Sequence, residues 1–383
     1  MNWKKVLYIL VLIILLAFSI FSWTRNKSDS SYLDNPQNTF IDTNQVYVFP
    51  PFYEVHKNDK LEFDISNIQN QNDKDKFETN LRKEVFSLAN FLTRPDENPK
   101  INILEQIDKG SYTQQKIGIR MYPATQSYAY LLIPKNITYP APLIIAMHQH
   151  GDIYDYGKAE VVGLEGDPNL FYGKELVERG YLVFAPDAPL FGDRMLKATG
   201  QNSGNILEQY GEESLLLAGH SLLGETLRED ISLVNLISSL KNIKEIGCIG
   251  HSYGGVRCMY LAAVDDRIKA VVLSNSVGNL RKKYEEAPVH TWFSILPGIA
   301  RYTETSGILA LIAPRPLMIF YSENDPIFPV TEAKNQISSV SELYKKLNKE
   351  SEIKGVEIPN EAHAFPEKYH EEAYRFFDKY LKQ

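Results

Sequence analysis

The chain has 383 residues, of which 44% are apolar and 23% charged, as is ordinary for a globular protein. Its 48 acidic and 41 basic side chains give a net charge of −7. This balance argues against a nucleic-acid-binding protein, because such proteins normally present a basic face. Two cysteines are too few for a disulfide scaffold, a four-cysteine zinc site or an iron–sulfur cluster ligated by cysteine alone.

An uncharged, mostly apolar segment runs from Val6 to Trp23. A helix over this segment and its flanks spans about 29 Å, which matches the hydrocarbon core of a bilayer. We interpret residues 1–25 as a transmembrane anchor, since the apolar core of a cleaved signal peptide is usually shorter. Lys4 and Lys5 precede the segment, which favours a single-pass protein of the cell membrane with its main domain outside the cytoplasm. Secretion after signal cleavage is the alternative.

Residues 26–110 are interpreted as a polar spacer with one peripheral amphipathic helix, from Asp75 to Leu92. Short apolar runs then alternate with helical patterns in residues 111–383. The predicted strands are Ser127–Pro134, Pro142–Met147, Tyr181–Ala185, Glu245–Ile249, Ile268–Ser274, Pro316–Tyr321 and Ile353–Ile358. The predicted helices cover 169–179, 214–241, 253–264, 331–348 and 367–381. This alternation predicts an α/β fold with a doubly wound, mostly parallel sheet, whose active site lies at the carboxyl ends of the strands.

A candidate nucleophile follows the strand at 245–249. The sequence there reads Gly-His-Ser-Tyr-Gly-Gly, a G-x-S-x-G motif centred on Ser252. On a sharp strand-to-helix turn this motif lifts the serine hydroxyl above the sheet, and the glycines avoid collisions between the two sides of the turn. A similar stretch around Ser221 has its second glycine one position too far and lies within a helical pattern, so we reject it.

A serine nucleophile needs a histidine to accept its proton and a carboxylate to orient that histidine. In this architecture both follow the serine along the chain, in the order acid and then histidine. Asp325 follows the strand at 316–321 and lies in a proline-rich turn, so it is the predicted acid, with Glu323 as the fallback. His363 lies in a loop before the last helix and is the predicted base, whereas His370 is interpreted as a solvated residue of that helix.

The loop after the strand at 142–147 reads His-Gln-His-Gly-Asp, residues 148–152. We expect the backbone N–H groups of Asp152 and Tyr253 to form the oxyanion site. The same loop also spells H-x-H-x-D, which resembles a zinc motif of metallo-β-lactamase-type hydrolases. That motif continues with a histidine, whereas this chain has Ile153, so a metal site is the weaker alternative.

The stretches MHQHGD, IGHSYGG and YSENDPIFP together resemble the α/β-hydrolase superfamily, and more closely its acetyl xylan esterase and dienelactone-hydrolase-like branch. The resemblance covers most of residues 120–375. It implies hydrolysis of small-molecule esters by a Ser-His-Asp triad through an acyl-enzyme, with no cofactor and no metal. Dienelactone hydrolases proper use a cysteine nucleophile, so Ser252 favours esterase chemistry of the acetyl type.

Two other functions remain open: a small serine peptidase of the prolyl-oligopeptidase type, and a non-catalytic binding protein with a hydrolase fold. Residues 278–313 are a candidate lid, with plain packing over the sheet edge as the alternative. Cys248 and Cys258 flank the serine motif, and we interpret both as buried thiols.

Overall fold

The computed structural model describes residues 58–122, 125–195, 204–240, 242–282 and 291–382. The predicted membrane anchor, residues 1–25, lies outside these ranges. Within them, no helix combines the length and the apolar character needed to cross a membrane.

The strands form one mixed sheet in the order β1-β2-β3-β5-β4-β6-β7-β8-β9. From β5 through β9 in this order, neighbouring strands are parallel, whereas β1, β2 and β3 form an antiparallel extension. The strands are β1 (Lys100–Asp108), β2 (Tyr112–Met121), β3 (Thr125–Pro134), β4 (Ala141–Met147), β5 (Leu182–Pro186), β6 (Ile243–His251), β7 (Ile268–Ser274), β8 (Leu317–Ser322) and β9 (Ile353–Ile358).

Helices cover both faces of the sheet. They are α1 (Gln71–Ala89), α2 (Lys158–Val161), α3 (Tyr172–Glu178), α4 (Gly204–Leu217), α5 (Leu222–Ser239), α6 (Tyr253–Val264), α7 (Thr305–Ala310), α8 (Val330–Lys346) and α9 (His370–Leu381). Successive residues of a strand point to opposite faces, so Ile145 packs in one hydrophobic cluster and Ile144 in the other. The predicted α/β architecture with a mostly parallel sheet is confirmed.

All seven predicted strands are present, but the sequence missed the β1–β2 hairpin. Every residue of β1 is exposed, including Ile103 and Leu104 at 56% and 53%. With its apolar residues outside the core, β1 shows no clean alternation between apolar and polar positions. The predicted domain boundary at residue 110 falls in the tight turn of this hairpin.

The helix predicted over 214–241 is two helices, because the chain turns sharply at Gly219, whose φ is +81°. Ser221 then caps α5 by accepting a hydrogen bond from the N–H of Gly224 at 3.1 Å. The serine that we rejected as a nucleophile is therefore a buried helix cap.

The stretch predicted as an amphipathic helix over 75–92 forms α1, which begins after the cap Asn70 and packs Phe77, Leu81 and Val85 into the core. The candidate lid is only partly compatible with the structure. Residues 305–313 are buried, because α7 packs against α6 and α8 as part of the core. This portion is not a lid, and residues 283–290 lie outside the described part of the chain.

Cys248 in β6 and Cys258 in α6 form a disulfide, with their Cα atoms 5.7 Å apart. The prediction of buried thiols is therefore wrong in chemistry, although both residues are fully buried. The two positions face each other because α6 folds back along β6 immediately after the turn at Ser252. A strand–turn–helix unit thus brings together two cysteines ten residues apart.

Candidate active site

Ser252 lies on the turn between β6 and α6, with φ +54° and ψ −123°. A non-glycine residue with positive φ is strained, and such strain persists only where the surroundings impose it. Here the Ser252 N–H donates to the carbonyl of Ser274 in β7 at 2.8 Å. A Cβ atom on Gly250 would come within 2.2 Å of the Gly254 backbone, so the motif needs glycine there.

His363 and Asp325 are brought together by the loops after β9 and β8. Nδ1 of His363 donates to Oδ2 of Asp325 at 2.8 Å, and the Asp325 side chain is completely buried. The second carboxylate oxygen accepts the N–H groups of Ile327 and Phe328 at 2.8 and 2.9 Å. These bonds fix the orientation of the carboxylate.

The other ring nitrogen of His363, Nε2, is buried and has no hydrogen-bond partner among the residues that the structure describes. Because Nδ1 carries the proton and donates it in the hydrogen bond to Asp325, Nε2 of the neutral ring presents a lone pair. The ring lies 4.7 Å from the ring of His251, the residue that precedes Ser252, and it stacks on Phe328 at 5.9 Å. An acceptor nitrogen therefore lies beside the turn that holds Ser252.

The fallback candidates have other contacts. Glu323 accepts the N–H of Asn360 at 2.8 Å. His370 is buried, not solvated as predicted, since its Nδ1 contacts Glu175 at 2.9 Å and its Nε2 contacts the carbonyl of Phe365 at 3.1 Å. The prediction for His370 failed because this residue begins α9 on the face that packs against α3.

Sequence reasoning missed Asn275, which follows β7 with φ +46°. Its side-chain amide donates to Ser322 Oγ at 2.9 Å and to the carbonyl of Ala364 at 2.8 Å, while its Oδ1 accepts the Ser322 N–H. Asn275 thereby joins the ends of β7 and β8 to the loop that carries His363. An asparagine directly after an apolar strand was the available signal.

The loop after β4 contains two buried histidines in opposite states. Burial and the nearby Arg257 guanidinium lower the pKa of His148 to about 3. Its Nε2 accepts the N–H of Ala188 at 3.0 Å and its Nδ1 contacts the carbonyl of Gln149 at 2.7 Å. His148 is therefore a neutral ring that ties this loop to the end of β5.

Burial opposes charge on His150 too, but hydrogen bonds to Asp152 and Glu208 outweigh it and raise its pKa to about 9. Nε2 of His150 lies 2.6 Å from Glu208. The ring nitrogens of both histidines in the H-x-H-x-D stretch are thus engaged by protein groups. Across the described ranges, no group of three or more His, Cys, Asp or Glu side chains is placed to hold a metal ion.

The two predicted oxyanion donors differ in their surroundings. Tyr253 is the first residue of α6, so its N–H is one of the helix donors that lack an intrahelical acceptor. The N–H of Asp152 lies 3.1 Å from Nδ1 of His150, within hydrogen-bond distance of that ring nitrogen.

An open cleft lies between α6 and the loops after β7 and β8. Phe328 forms part of its wall and also stacks on His363, so the cleft adjoins the candidate catalytic histidine. The lining includes the buried hydroxyls of Ser276 and Tyr260, neither of which has a hydrogen-bond partner among the described residues.

The parallel sheet, the strained serine between β6 and α6, and the histidine and aspartate at later strand ends define the class as α/β-hydrolase. Residues 52–379 match the model of the Abhydrolase family, and the chain therefore belongs to that family. The predicted class, a hydrolytic enzyme of the α/β-hydrolase superfamily, is confirmed.

The chain is similar to YtaP of Bacillus subtilis (strain 168), a protein named as a hydrolase. The two are 30% identical over 254 residues, which cover 65% of this chain and 81% of YtaP. The fold is also similar to a protein of Bacteroides fragilis NCTC 9343 named as an acetyl xylan esterase, with a TM-score of 0.64, 19% identity and coverage of 83% and 84% of the two chains.

A glucuronoyl esterase from Solibacter usitatus has a TM-score of 0.55 and 14% identity, with coverage of 79% of this chain and 93% of that one. At these identities the solved structures establish a shared fold. The resemblance to the acetyl xylan esterase branch is confirmed at that level.

Proposed function

We propose that this protein is a serine esterase that hydrolyses carboxylic esters through an acyl-enzyme on Ser252. The observation that carries the proposal is the His363–Asp325 hydrogen bond of 2.8 Å. It leaves a buried Nε2, which has no hydrogen-bond partner among the described residues, beside the strained serine turn. An acceptor nitrogen that is buried without a hydrogen bond costs free energy, and a reacting group that donates to it offsets this cost.

In the proposed reaction, Ser252 Oγ attacks the ester carbonyl carbon while its proton moves to Nε2 of His363. The carbonyl oxygen becomes an oxyanion, held by the N–H groups of Tyr253 and Asp152. When the carbon–oxygen bond to the alcohol breaks, the imidazolium returns the proton to the leaving oxygen. Water then attacks the carbonyl carbon of the acyl-enzyme while His363 accepts the water proton. His363 returns that proton to Ser252 Oγ as the acid is released. Asp325 keeps the His363 ring in the productive tautomer.

We propose a small acyl group, of the acetyl type, as the substrate class. Two structures with this fold carry names of carbohydrate-directed esterases, an acetyl xylan esterase and a glucuronoyl esterase. In the proposed reaction His363 gives its proton to the leaving oxygen, so the alcohol part of the ester lies next to His363. Phe328 stacks on His363 and also lines the cleft, so we place the alcohol part in this cleft. The hydroxyls of Ser276 and Tyr260, which have no partner in the described part of the chain, suit an alcohol that bears further hydroxyl groups.

The test uses the full-length chain, a fluorophosphonate probe and p-nitrophenyl acetate. Ser252→Ala should abolish labelling and reduce turnover by at least about a thousandfold. The matched control is Ser221→Ala, which alters the look-alike motif; labelling should persist although loss of the helix cap costs about 1 kcal/mol. EDTA should change neither signal. Labelling that survives in Ser252→Ala would refute the proposal. If the wild type neither reacts with the probe nor hydrolyses esters, a binding protein would be favoured.

We also propose that the N-terminal segment holds the protein at the cell membrane with its catalytic part outside the cytoplasm. Support comes from the apolar segment between Val6 and Trp23 and from the Cys248–Cys258 disulfide, since disulfides persist mainly in oxidising compartments. Protease added to intact cells should remove the catalytic part, and carbonate washing should leave the protein in the membrane pellet. Release by carbonate would favour signal cleavage, and protection from protease would refute the orientation.

A further inference from the structure

The loop that supplies the second oxyanion donor has an unusual backbone. Gly151 and Asp152 follow each other with φ values of +57° and +54°. Two successive left-handed residues, one of them not glycine, need contacts outside the loop to hold them. Within this loop, His150 makes a close contact with an acidic residue of another element, and its side chain is 8% exposed.

Glu208 of α4 is the group that grips His150. Its Oε2 lies 2.6 Å from Nε2 of His150 and also accepts the hydroxyl of Tyr154. Its Oε1 accepts the hydroxyl of Thr291 at 2.7 Å and the N–H of Trp292 at 2.6 Å. The carboxylate is 3% exposed, so one buried acid connects α4, residues 291–292 and the loop after β4.

The other ring nitrogen of His150, Nδ1, lies near two groups of Asp152: its backbone N–H, which is a hydrogen-bond donor, and its carboxylate, which is an acceptor. Nδ1 lies 3.1 Å from the Asp152 N–H and 3.2 Å from Oδ1 of the Asp152 carboxylate. Without a proton, Nδ1 accepts the N–H; with a proton, it donates to the carboxylate and cannot accept. Because Nε2 donates its N–H to Glu208 in either case, the presence or absence of a proton on Nδ1 decides which contact forms.

We propose that His150, clamped by Glu208, is a positioning residue for the oxyanion site: as an imidazolium it binds the Asp152 carboxylate and leaves the Asp152 N–H free for the substrate oxyanion. When His150 is neutral, its Nδ1 accepts a hydrogen bond from the Asp152 N–H, which is then not available to the oxyanion. The inference rests on the proposed esterase function and assigns His150 and Glu208, which do not touch the reacting atoms, a part in it.

The charges around His150 support the imidazolium at neutral pH. Glu208 faces it from α4 and Asp152 from its own loop, and together they hold its pKa at about 9 despite burial. Among the described residues, the rings of Tyr154, Phe191 and Phe293 also pack against His150 and bring no formal charge. The Tyr154 hydroxyl lies 3.1 Å from Nε2 of His150. The competent state therefore exists below about pH 9 and is lost as the pH rises through that value.

The test follows the second-order rate constant for labelling of Ser252 by the fluorophosphonate from pH 6 to 10.5, using the full-length chain. In the wild type the rate should fall near pH 9, towards a level about 10²–10³-fold lower, the usual effect of losing one oxyanion donor. Glu208→Gln keeps the size of the side chain but removes its charge, which lowers the pKa of His150. The pH at which the labelling rate falls should therefore be lower by about 1–3 units. Glu213→Gln, an exposed carboxylate on the same helix, is the matched control and should follow the wild type.

A second measurement is independent of activity and is made on the wild-type chain. In wild-type chain labelled with ¹⁵N in its histidine rings, both nitrogens of His150 should carry protons at pH 7, and Nδ1 should lose its proton along the curve that describes the rate. The signal is assigned by its disappearance in His150→Gln.

The inference is overturned if Nδ1 of His150 is unprotonated at pH 7. It is also overturned if the labelling rates of the wild type and of Glu208→Gln fall at the same alkaline pH. Absence of Ser252 labelling at every pH would instead refute the esterase proposal, while the nitrogen signals would still decide the protonation of His150.

Discussion

Two acidic residues near the end of β8, Asp325 and Glu323, have different roles although only one residue separates them. Asp325 turns inward, where the N–H groups of Ile327 and Phe328 fix one carboxylate oxygen and His363 takes the other. Glu323 turns to the Asn360 N–H at the edge of the loop. The proline-rich turn after Asp325 produces this difference, because it aims successive N–H groups at the Asp325 side chain.

Asp325→Asn should lower kcat for p-nitrophenyl acetate by about 10⁴-fold with little change in KM. The amide of asparagine would donate to Nδ1 and force the proton onto Nε2, which then cannot accept from Ser252. Steady-state kinetics of the purified chain measures this effect. Glu323→Gln is the control, with a rate within about threefold of wild type. A comparable loss in both variants would assign the effect to the loop fold instead of to the tautomer.

At the scale of elements, the β6–Ser252–α6 unit is held together from two sides. The Ser252 N–H bonds to β7, and the Cys248–Cys258 disulfide ties the strand to the helix that follows it. Both anchors oppose relaxation of the positive φ at Ser252, since the turn can relax only if β6 and α6 separate.

Replacing both cysteines by alanine should lower the free energy of unfolding by about 2–4 kcal/mol, because the unfolded chain loses a constraint. Urea unfolding monitored by circular dichroism measures the change. The bond itself is checked by maleimide labelling of denatured wild-type protein, which should show no thiol before reduction and two after it. Two reactive thiols before reduction would contradict the disulfide.

At the scale of the whole molecule, neutral histidines buried beneath the site link stability to pH. His148 and His251 both have lowered pKa values, to about 3 for His148, chiefly because burial disfavours the charged ring. In the unfolded chain a histidine titrates near 6.5. Below that pH the unfolded state gains a proton that the folded state excludes, so stability falls as the pH decreases from about 6.5 towards 3.

For His148 the loss should approach about 1.4 kcal/mol per pH unit, or about 2 kcal/mol between pH 6.5 and 5. His148→Gln has no such proton to exclude, so its unfolding free energy should decline less steeply by this amount. Urea titrations at pH 7.5, 6.5 and 5 compare the two slopes. Parallel curves for wild type and variant would show that His148 titrates normally in the folded state.

Much of the fold and the site was accessible from the sequence because the relevant patterns are local. Buried parallel strands are short continuous apolar runs, and residues directly after such runs share one edge of the sheet. This places Ser252, Asp325 and His363 together without knowledge of the packing. The β1–β2 hairpin escaped detection because its outer strand buries no side chain.

The sequence by itself therefore determined the α/β architecture, the family resemblance and the three candidate catalytic residues, since each depends on a pattern within a few neighbouring positions. The tertiary structure alone decided the partners across the chain. Glu208 meets His150 from 58 positions away, and Asn275 meets Ala364 from 89. Such contacts leave no periodic trace in the chain, because they are selected by the packing of whole helices and loops around the sheet.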